Sequence, residues 1–591
     1  MNQQFINREN VMVEKTQMKS RGSHGTALSE SIGRRASIIL FAFITGVFVW
    51  WLYCAVSYFG SIIPADEISI KANSDDPVIE QHRILTGPGA VTIAICVAIA
   101  TALLFSARFR ARVVSWIRFL ANHRRIVFIA MLCWQMVILA CFIPAHLRYD
   151  ARAAQTSSIN AVLTPGVFDN YLSTYPNNAF LYLIEYIPTR ILYLLSGPIL
   201  IENKLRAVTI IVFCMQLINI VIVDTSILFL EKTIRPISER ASRYAYLFMA
   251  LLLGCSTWII CPYTDTFSLP LSIWMISLMV KVFNKSKERH IDAWRIKEIV
   301  GFVAHFLLIG VSTSLAYAMK PSSVIPLIAF VIVWFVLCLG KSILTKFIPS
   351  ILAIIIGFGI VAMPLQVAEH TVFNYDSSRS VPMTHYLMMG MKDHGRYNEA
   401  DYRATVARPT IEEKEQYNLS VIGQRLEDFG PIGYFSFLLK KSYYNSADGS
   451  FGDNSYLTVL NGQKGTGWVA VGEKNPIHSH NIVPFVWVQD FLADGEDAHQ
   501  IYEIIMQAIY ILLVLGMLLF SVRLYLAKAK LSDIALEAWI ALSLLGGYAF
   551  LLIFEGGRTR YLLQFLPLML FISALGWGRR SQLKSCLRFG E

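Results

Sequence analysis

Twelve stretches of about twenty residues are almost wholly apolar: 36–59, 89–106, 126–146, 207–230, 244–262, 267–283, 298–318, 323–340, 347–366, 501–524, 532–554 and 562–577. A run of that length matches an α-helix crossing the roughly 30 Å hydrocarbon core of a bilayer. The pattern predicts an all-α polytopic membrane protein. The run at 36–59 is too long and too aromatic for a signal-peptide core, so it is read as the first span.

The polar stretches between the runs set the topology. ARFRARVVSWIRFLANHRR carries Arg108, Arg110, Arg112, Arg118, Arg124 and Arg125. Basic loops recur at 231–243, 284–297, 341–346 and 523–530, and the ends of the chain are basic as well. Lys and Arg collect on the cytoplasmic side of membrane proteins, whereas the 60–88 loop is acidic (Asp66, Glu67, Asp75, Asp76, Glu80) and suits the outer side. On this reading both termini are cytoplasmic in the cell membrane, and the third run exits outward at Asp150. The segment 177–206 then has to begin and end outside. Its apolar character is broken by Glu185, Pro188, Arg190 and Pro198, and it is too short for two full spans, so a hairpin of short helices or a re-entrant pair is expected.

The resulting plan is a cytoplasmic tail at 1–35, a transmembrane bundle at 36–366 with an outer loop at 147–178, an outer domain at 367–498, further spans at 499–578 and a cytoplasmic tail at 579–591. Composition agrees with it. The 591 residues are 55% hydrophobic and only 16% charged, against about 25% charged in soluble domains. The net charge of +11 sits in short loops beside apolar runs, which reports orientation and argues against nucleic acid as a partner. Eight of the nine cysteines lie in or beside apolar runs and none forms a CxxC pair, so neither a disulfide framework nor a zinc ribbon is indicated.

Polar groups at the outer ends of the runs are the candidate chemistry, because ionisable groups at such edges are costly unless they are paired or wet. They are Tyr149 and Asp150; Asp169; Tyr175-Pro176-Asn177-Asn178; Tyr263-Thr264-Asp265-Thr266; Lys320-Pro321-Ser322-Ser323; and Glu555-Gly556-Gly557-Arg558-Thr559-Arg560-Tyr561. All fall on one side. Each also has a plain structural reading. Asp150 can mark the water boundary of a span, Asp265 can cap the next helix, and Lys320 can snorkel. Arg558 and Arg560 run against the inside bias for cations, and arginine forks suit phosphate. His478 and His480 form a pair with no third ligand, so they read as surface histidines rather than a metal site.

The order Tyr-Asp, Tyr-Pro-Asn-Asn, Tyr-Thr-Asp-Thr-Phe-Ser-Leu-Pro, Lys-Pro-Ser and Glu…Arg-Thr-Arg-Tyr…Pro resembles bacterial multi-span glycosyltransferases of the GT-C type, relatives of the dolichyl-phosphate-mannose–protein mannosyltransferases. MMGMKDHGRYNEADY at 388–402 and ADGSF at 447–451 are similar to their Gram-positive branch. The resemblance covers most of the chain from about residue 126 onward. It implies a GT-C-like bundle of about 12–14 transmembrane helices. It also implies a polyprenyl-phosphate sugar donor and an acid in the first outer loop acting as general base. That role maps to Asp150, with Asp169 as fallback; the family often has two adjacent acids, whereas Ala151 follows Asp150 here.

The chemistry is consistent with these residues. A carboxylate takes the proton of an acceptor hydroxyl as it attacks. Arg558, Arg560 and Lys320 are placed to stabilise the leaving phosphate. One base and direct displacement give inversion, while a retaining route needs a second carboxylate, for which Asp265 stays a candidate. No cofactor is certain, and a divalent metal remains open. The acceptor is a polysaccharide, teichoic acid, lipid or protein. A transporter or flippase, or a polymerase of lipid-linked saccharides, is the rival reading.

Overall fold

A computed structural model describes residues 34–58, 106–142, 147, 149–196, 204–288, 296–339, 342–452, 483–492 and 498–578. In chain order the helices are α1 (Arg34–Tyr58), α2 (Ala107–Asn122), α3 (Arg124–Cys141), α4 (Tyr149–Leu163), α5 (Asn170–Thr174), α6 (Ala179–Ser196), α7 (Lys204–Ile234), α8 (Glu239–Met249), α9 (Thr264–Glu288) and α10 (Ile296–Met319). They continue as α11 (Ile325–Leu337), α12 (Ile348–Val372), α13 (Met383–Met389), α14 (Glu399–Val406), α15 (Ile411–Ser446), α16 (Val483–Leu492), α17 (His499–Ala527), α18 (Ala535–Ile553) and α19 (Leu566–Gly578). The protein is all-α and polytopic. Among the described residues ten helical segments are long and apolar enough to cross a membrane, and no β-strand is present; Phe168 and Asn374 form an isolated bridge. The expected span at 89–106, the 60–88 loop, most of the N-terminal tail, the C-terminal tail and His478 and His480 lie outside the described residues.

Two expected spans differ in form. The run 244–262 is not one helix: α8 gives way to a π-helical turn at Ala250–Gly254 and then a 3-10 turn at Thr257–Ile260. Breaking a helix at this depth frees carbonyls, and side chains from neighbouring helices take them up. Gln135 Nε2 donates to Gly254 O at 3.0 Å, Trp134 Nε1 to Cys255 O at 3.0 Å, and Asn219 Nδ2 to Trp258 O and Ile259 O at 2.8 and 2.7 Å. The run 323–340 begins as a 3-10 turn, Pro321–Val324, and continues as the short α11.

The first part of the hairpin expected at 177–206 is one continuous helix, α6, and residues 197–203 lie outside the described residues. Pro188 removes one helix donor without ending it, and the Thr189 hydroxyl donates to Glu185 O at 2.7 Å. Length makes α6 a candidate span, and connectivity limits where it ends. At the far end of α7, Glu231 binds both Arg124 and Arg235, the latter at 2.7 Å, so α7 ends on the basic face where α3 begins. With 31 residues α7 crosses fully and therefore starts on the opposite face, where Asp150 stands. Only seven residues, reaching about 25 Å at most, join α6 to α7, less than a bilayer core. The C-terminal end of α6 therefore lies within about 25 Å of the end of α7 that shares the Asp150 face.

Glycines set the closest crossings. α10 and α12 touch backbone to backbone: a Cβ on Gly310 would lie 2.1 Å from Ile354 O, and one on Gly357 would lie 2.1 Å from Leu307 O. Small residues at such contacts let transmembrane helices pack without a solvent-driven force. Gly357→Ala is therefore expected to cost about 1–3 kcal/mol through overpacking. Gly359→Ala, whose Cβ meets nothing within 4 Å, serves as the matched control. Melting temperatures of the two variants in detergent measure the difference, and equal values would remove the crossing from the argument.

The polar segment after α12 folds back on the bundle. Asp401 receives Arg425 through two bonds of 2.8 and 2.9 Å, and Thr405 bonds His385 and Asn418, each at 2.9 Å, around a small core of Met388, Met391 and Ile422. α16 packs on α3, with Gln489 Nε2 donating to Cys141 O at 2.6 Å. α15 is two helices joined at Gly430, whose φ of +58° precedes Pro431.

Candidate active site

Five stretches far apart in sequence meet on the Asp150 face. Asp150 opens α4, and the preceding Tyr149 holds a left-handed φ of +50° with its side chain exposed. The Asp150 carboxylate is half-buried. It accepts a hydrogen bond from Tyr171 and a long one, 3.4 Å, from Tyr263 Oη. Burial first, and then the charge of Asp150, raise both phenols well above their ordinary range, so both remain protonated donors toward the carboxylate.

Behind Tyr263 lies a buried ion cluster. Asp265, in the first turn of α9, has no solvent exposure and sits between two cations. Lys320 Nζ pairs with one of its oxygens, and Arg560 Nε lies 3.9 Å from the other. The carboxylate is thus the shared anion of Lys320 and Arg560 rather than a helix cap, and Lys320 does not snorkel. Arg560 also faces the rings of Tyr561 at 4.7 Å and Tyr263 at 5.9 Å. Tyr263 is therefore the bridge: its hydroxyl reaches Asp150 while its ring faces Arg560. Two cations and one anion leave a residual charge of +1 under the Asp150 pocket.

Glu555 and Arg558 stand nearer the rim. Tyr561 Oη donates to Glu555 Oε1 at 2.6 Å. Burial pushes the Glu555 carboxyl up, against the pull of the Tyr561 bond and the Arg558 charge. The Arg558 side chain has no hydrogen-bond or ion-pair partner among the described residues, which sets it apart from Arg560. Burial first, and then the charges of Glu555 and Asp150, raise the Tyr386 phenol well above its ordinary range.

The other residues expected here divide. Tyr175 joins an aromatic group, 5.0 Å from Tyr171 and stacked at 6.2 Å on Tyr402, which in turn lies 6.0 Å from Tyr397. Asn177 is exposed and Asn178 buried in a 3-10 turn. Asp169 caps α5, accepting from Leu172 N at 2.8 Å, so one of its oxygens has a structural task. Among the described residues no three His, Cys, Asp or Glu side chains converge in a way suited to a metal ion.

Sequence reasoning missed Tyr171, Tyr386, Tyr397 and Tyr402, and with them the device that positions the Glu555 loop. Lys441 Nζ donates to Phe554 O and, at 2.7 Å, to Gly390 O; Asn445 Oδ1 accepts from Gly557 N at 2.6 Å. Gly556 N donates to Gly395 O at 2.7 Å, and Arg396 Nε to Gly557 O at 2.8 Å. A Cβ on Gly557, whose φ is +69°, would fall 1.9 Å from His394 O. The Gly-Gly pair before Arg558 and the strings around 388–402 were its visible trace.

A family model described as conserved hypothetical integral membrane protein matches residues 41–581. No curated protein and no solved structure matches the chain.

Proposed function

The chain belongs to this family of integral membrane proteins, and from that premise we propose that it transfers a sugar from a polyprenyl-phosphate-linked donor to an acceptor hydroxyl at the outer face of the cell membrane. The observation that supports the reading is a half-buried carboxylate, Asp150, held by two neutral tyrosines and linked through Tyr263 to the Lys320–Asp265–Arg560 cluster, with Arg558 beside Glu555 on the same loop as Arg560. A base and a phosphate site are what such a transfer needs, and the surrounding apolar helices suit a donor that arrives from the bilayer.

Asp150 takes the proton of the acceptor hydroxyl as its oxygen attacks the anomeric carbon. The bond from that carbon to the phosphate oxygen breaks, and the electron pair leaves with the polyprenyl phosphate. Arg558 meets the growing phosphate charge directly. Lys320 and Arg560, already shared with Asp265, act at longer range through their residual positive charge. This narrows the direct phosphate contact to Arg558. Asp265, enclosed between two cations, is a poor nucleophile, which favours one displacement and inversion. Tyr175, Tyr397 and Tyr402 offer ring faces for the apolar face of a sugar.

The acceptor class is a surface polysaccharide, teichoic acid, lipid or protein. The rival reading, a flippase, draws on Asp224, which is buried within α7 and bonded by Gln135 at 2.8 Å. In vesicles supplied with labelled polyprenyl-phosphate sugar, Arg558→Gln is expected to raise the donor KM by about tenfold or more, equivalent to losing one charge-assisted hydrogen bond. An unchanged KM would remove Arg558 from the donor site.

A further inference from the structure

We infer that the second half of α15, residues 431–446, is embedded in the leaflet on the Asp150 face and lays its Ile432–Phe435–Leu439 side against lipid acyl chains. It does not meet the criteria of a spanning helix, and it belongs to the stretch expected to lie wholly outside the membrane. Contacts at its C-terminal end place that end deeper. Ser442 bonds Trp50 Nε1 at 2.7 Å and also pairs with the Tyr548 hydroxyl. Tyr510 Oη donates to Ser446 O at 2.9 Å, and Gln507 Nε2 to Ala447 O at 2.8 Å.

Helical rise converts these contacts into depth. Tyr548 lies five residues before the end of α18, about 8 Å along its axis. α18 has only 19 residues, about 28 Å, so it has no length to spare outside a 30 Å core. Side-chain length does not explain the contact on the neighbouring helix, because a Cβ on Gly449 would lie 2.4 Å from Tyr510 Cβ and 3.0 Å from Met506 O. That is backbone packing seven to eleven residues into α17, roughly 10–16 Å below its start.

What the helix then exposes is mostly apolar, with Ser436 and Lys440 at its edge, where a lysine stem can lie along the apolar face and lift its charge toward water. Ile432, Phe435 and Leu439 are 86%, 61% and 39% exposed, at spacings of three and four residues, which is one face of a helix. The helix is tied to α1, a segment long and apolar enough to cross a membrane, through Trp50, which holds Ser442 and stacks at 5.3 Å on Tyr53; Val49, Tyr53 and Val56 of α1 are exposed. The opposite side of the helix is packed: Tyr434 and Phe429 lie against the core of Met388, Met391 and Ile422, and Phe437 stacks on Tyr434. A water-exposed helix has no reason to display this stripe, and acyl chains cover it without any further partner.

Photocrosslinking of the full chain in phosphatidylcholine vesicles tests this. The photoreactive p-benzoylphenylalanine replaces Ile432 or Phe435 in separate variants. Ile356, exposed on α12, is the lipid-facing reference, and Leu419, exposed in the first half of α15, is the aqueous one. Lipid adducts at position 432 or 435 at the level of Ile356, and at least tenfold above Leu419, support the inference. Absence of lipid adducts at both positions while Ile356 labels, or covalent dimers in their place, overturns it. The readout does not involve sugar transfer, so it stands apart from the proposed reaction.

Discussion

Asp150→Asn is expected to abolish most sugar transfer, by about 10²–10⁴-fold in kcat, while leaving the lipid donor bound. The substitution keeps the shape of the side chain and its contacts with Tyr171 and Tyr263. It removes only the ability to take a proton. Single-turnover transfer and donor retention, measured on the same vesicles, separate chemistry from binding. Asp169→Asn is the comparison: as the cap of α5 it is expected to cost at most about 1 kcal/mol of stability and to leave transfer intact. Equal losses from both variants would disperse the proposed centre, and unchanged transfer by Asp150→Asn would end the base assignment.

Asp265→Asn is expected to do the opposite, damaging the fold before any chemistry can be read. It leaves Lys320 and Arg560 together with no counter-charge, where breaking a buried pair typically costs about 3–5 kcal/mol. The folded, monodisperse fraction recovered in detergent should fall sharply. Adding Lys320→Met restores the original residual charge of the cluster and should recover part of the loss, because neighbours in one ion network are not additive. A double variant no better than the single one would mean that Asp265 acts through packing alone.

How far the sequence discloses this arrangement depends on the kind of signal each residue leaves. Apolar runs need only their own neighbours in the chain to be recognised, so the polytopic all-α class was legible. So was the meeting of Asp150 with Tyr263, Arg560 and Glu555, because sidedness alone collects them on one face. The division of labour between the two arginines was not legible. Arg558 and Arg560 look alike in the chain, and only a partner 295 residues away, Asp265, tells the committed one from the free one. The break at Ala250–Gly254 was hidden for the same reason, since the amides that tolerate it come from Gln135 and Asn219. α15 misled by composition: its mixed charges mask a half whose depth is set by Trp50 and Tyr548.

The interlocked glycines carry a consequence for biosynthesis. Gly390 and Gly557 leave no room for a Cβ between the turn at 390–396 and the turn at 554–557, so neither can reach its final shape without the other. The ribosome delivers them about 160 residues apart, with α17 and α18 still to be inserted in between. A nascent chain that stops before residue 554 therefore holds Asp150 and its tyrosines but not the turn that leads to Glu555, Arg558 and Arg560. The candidate site is therefore completed in one late step, when that turn closes.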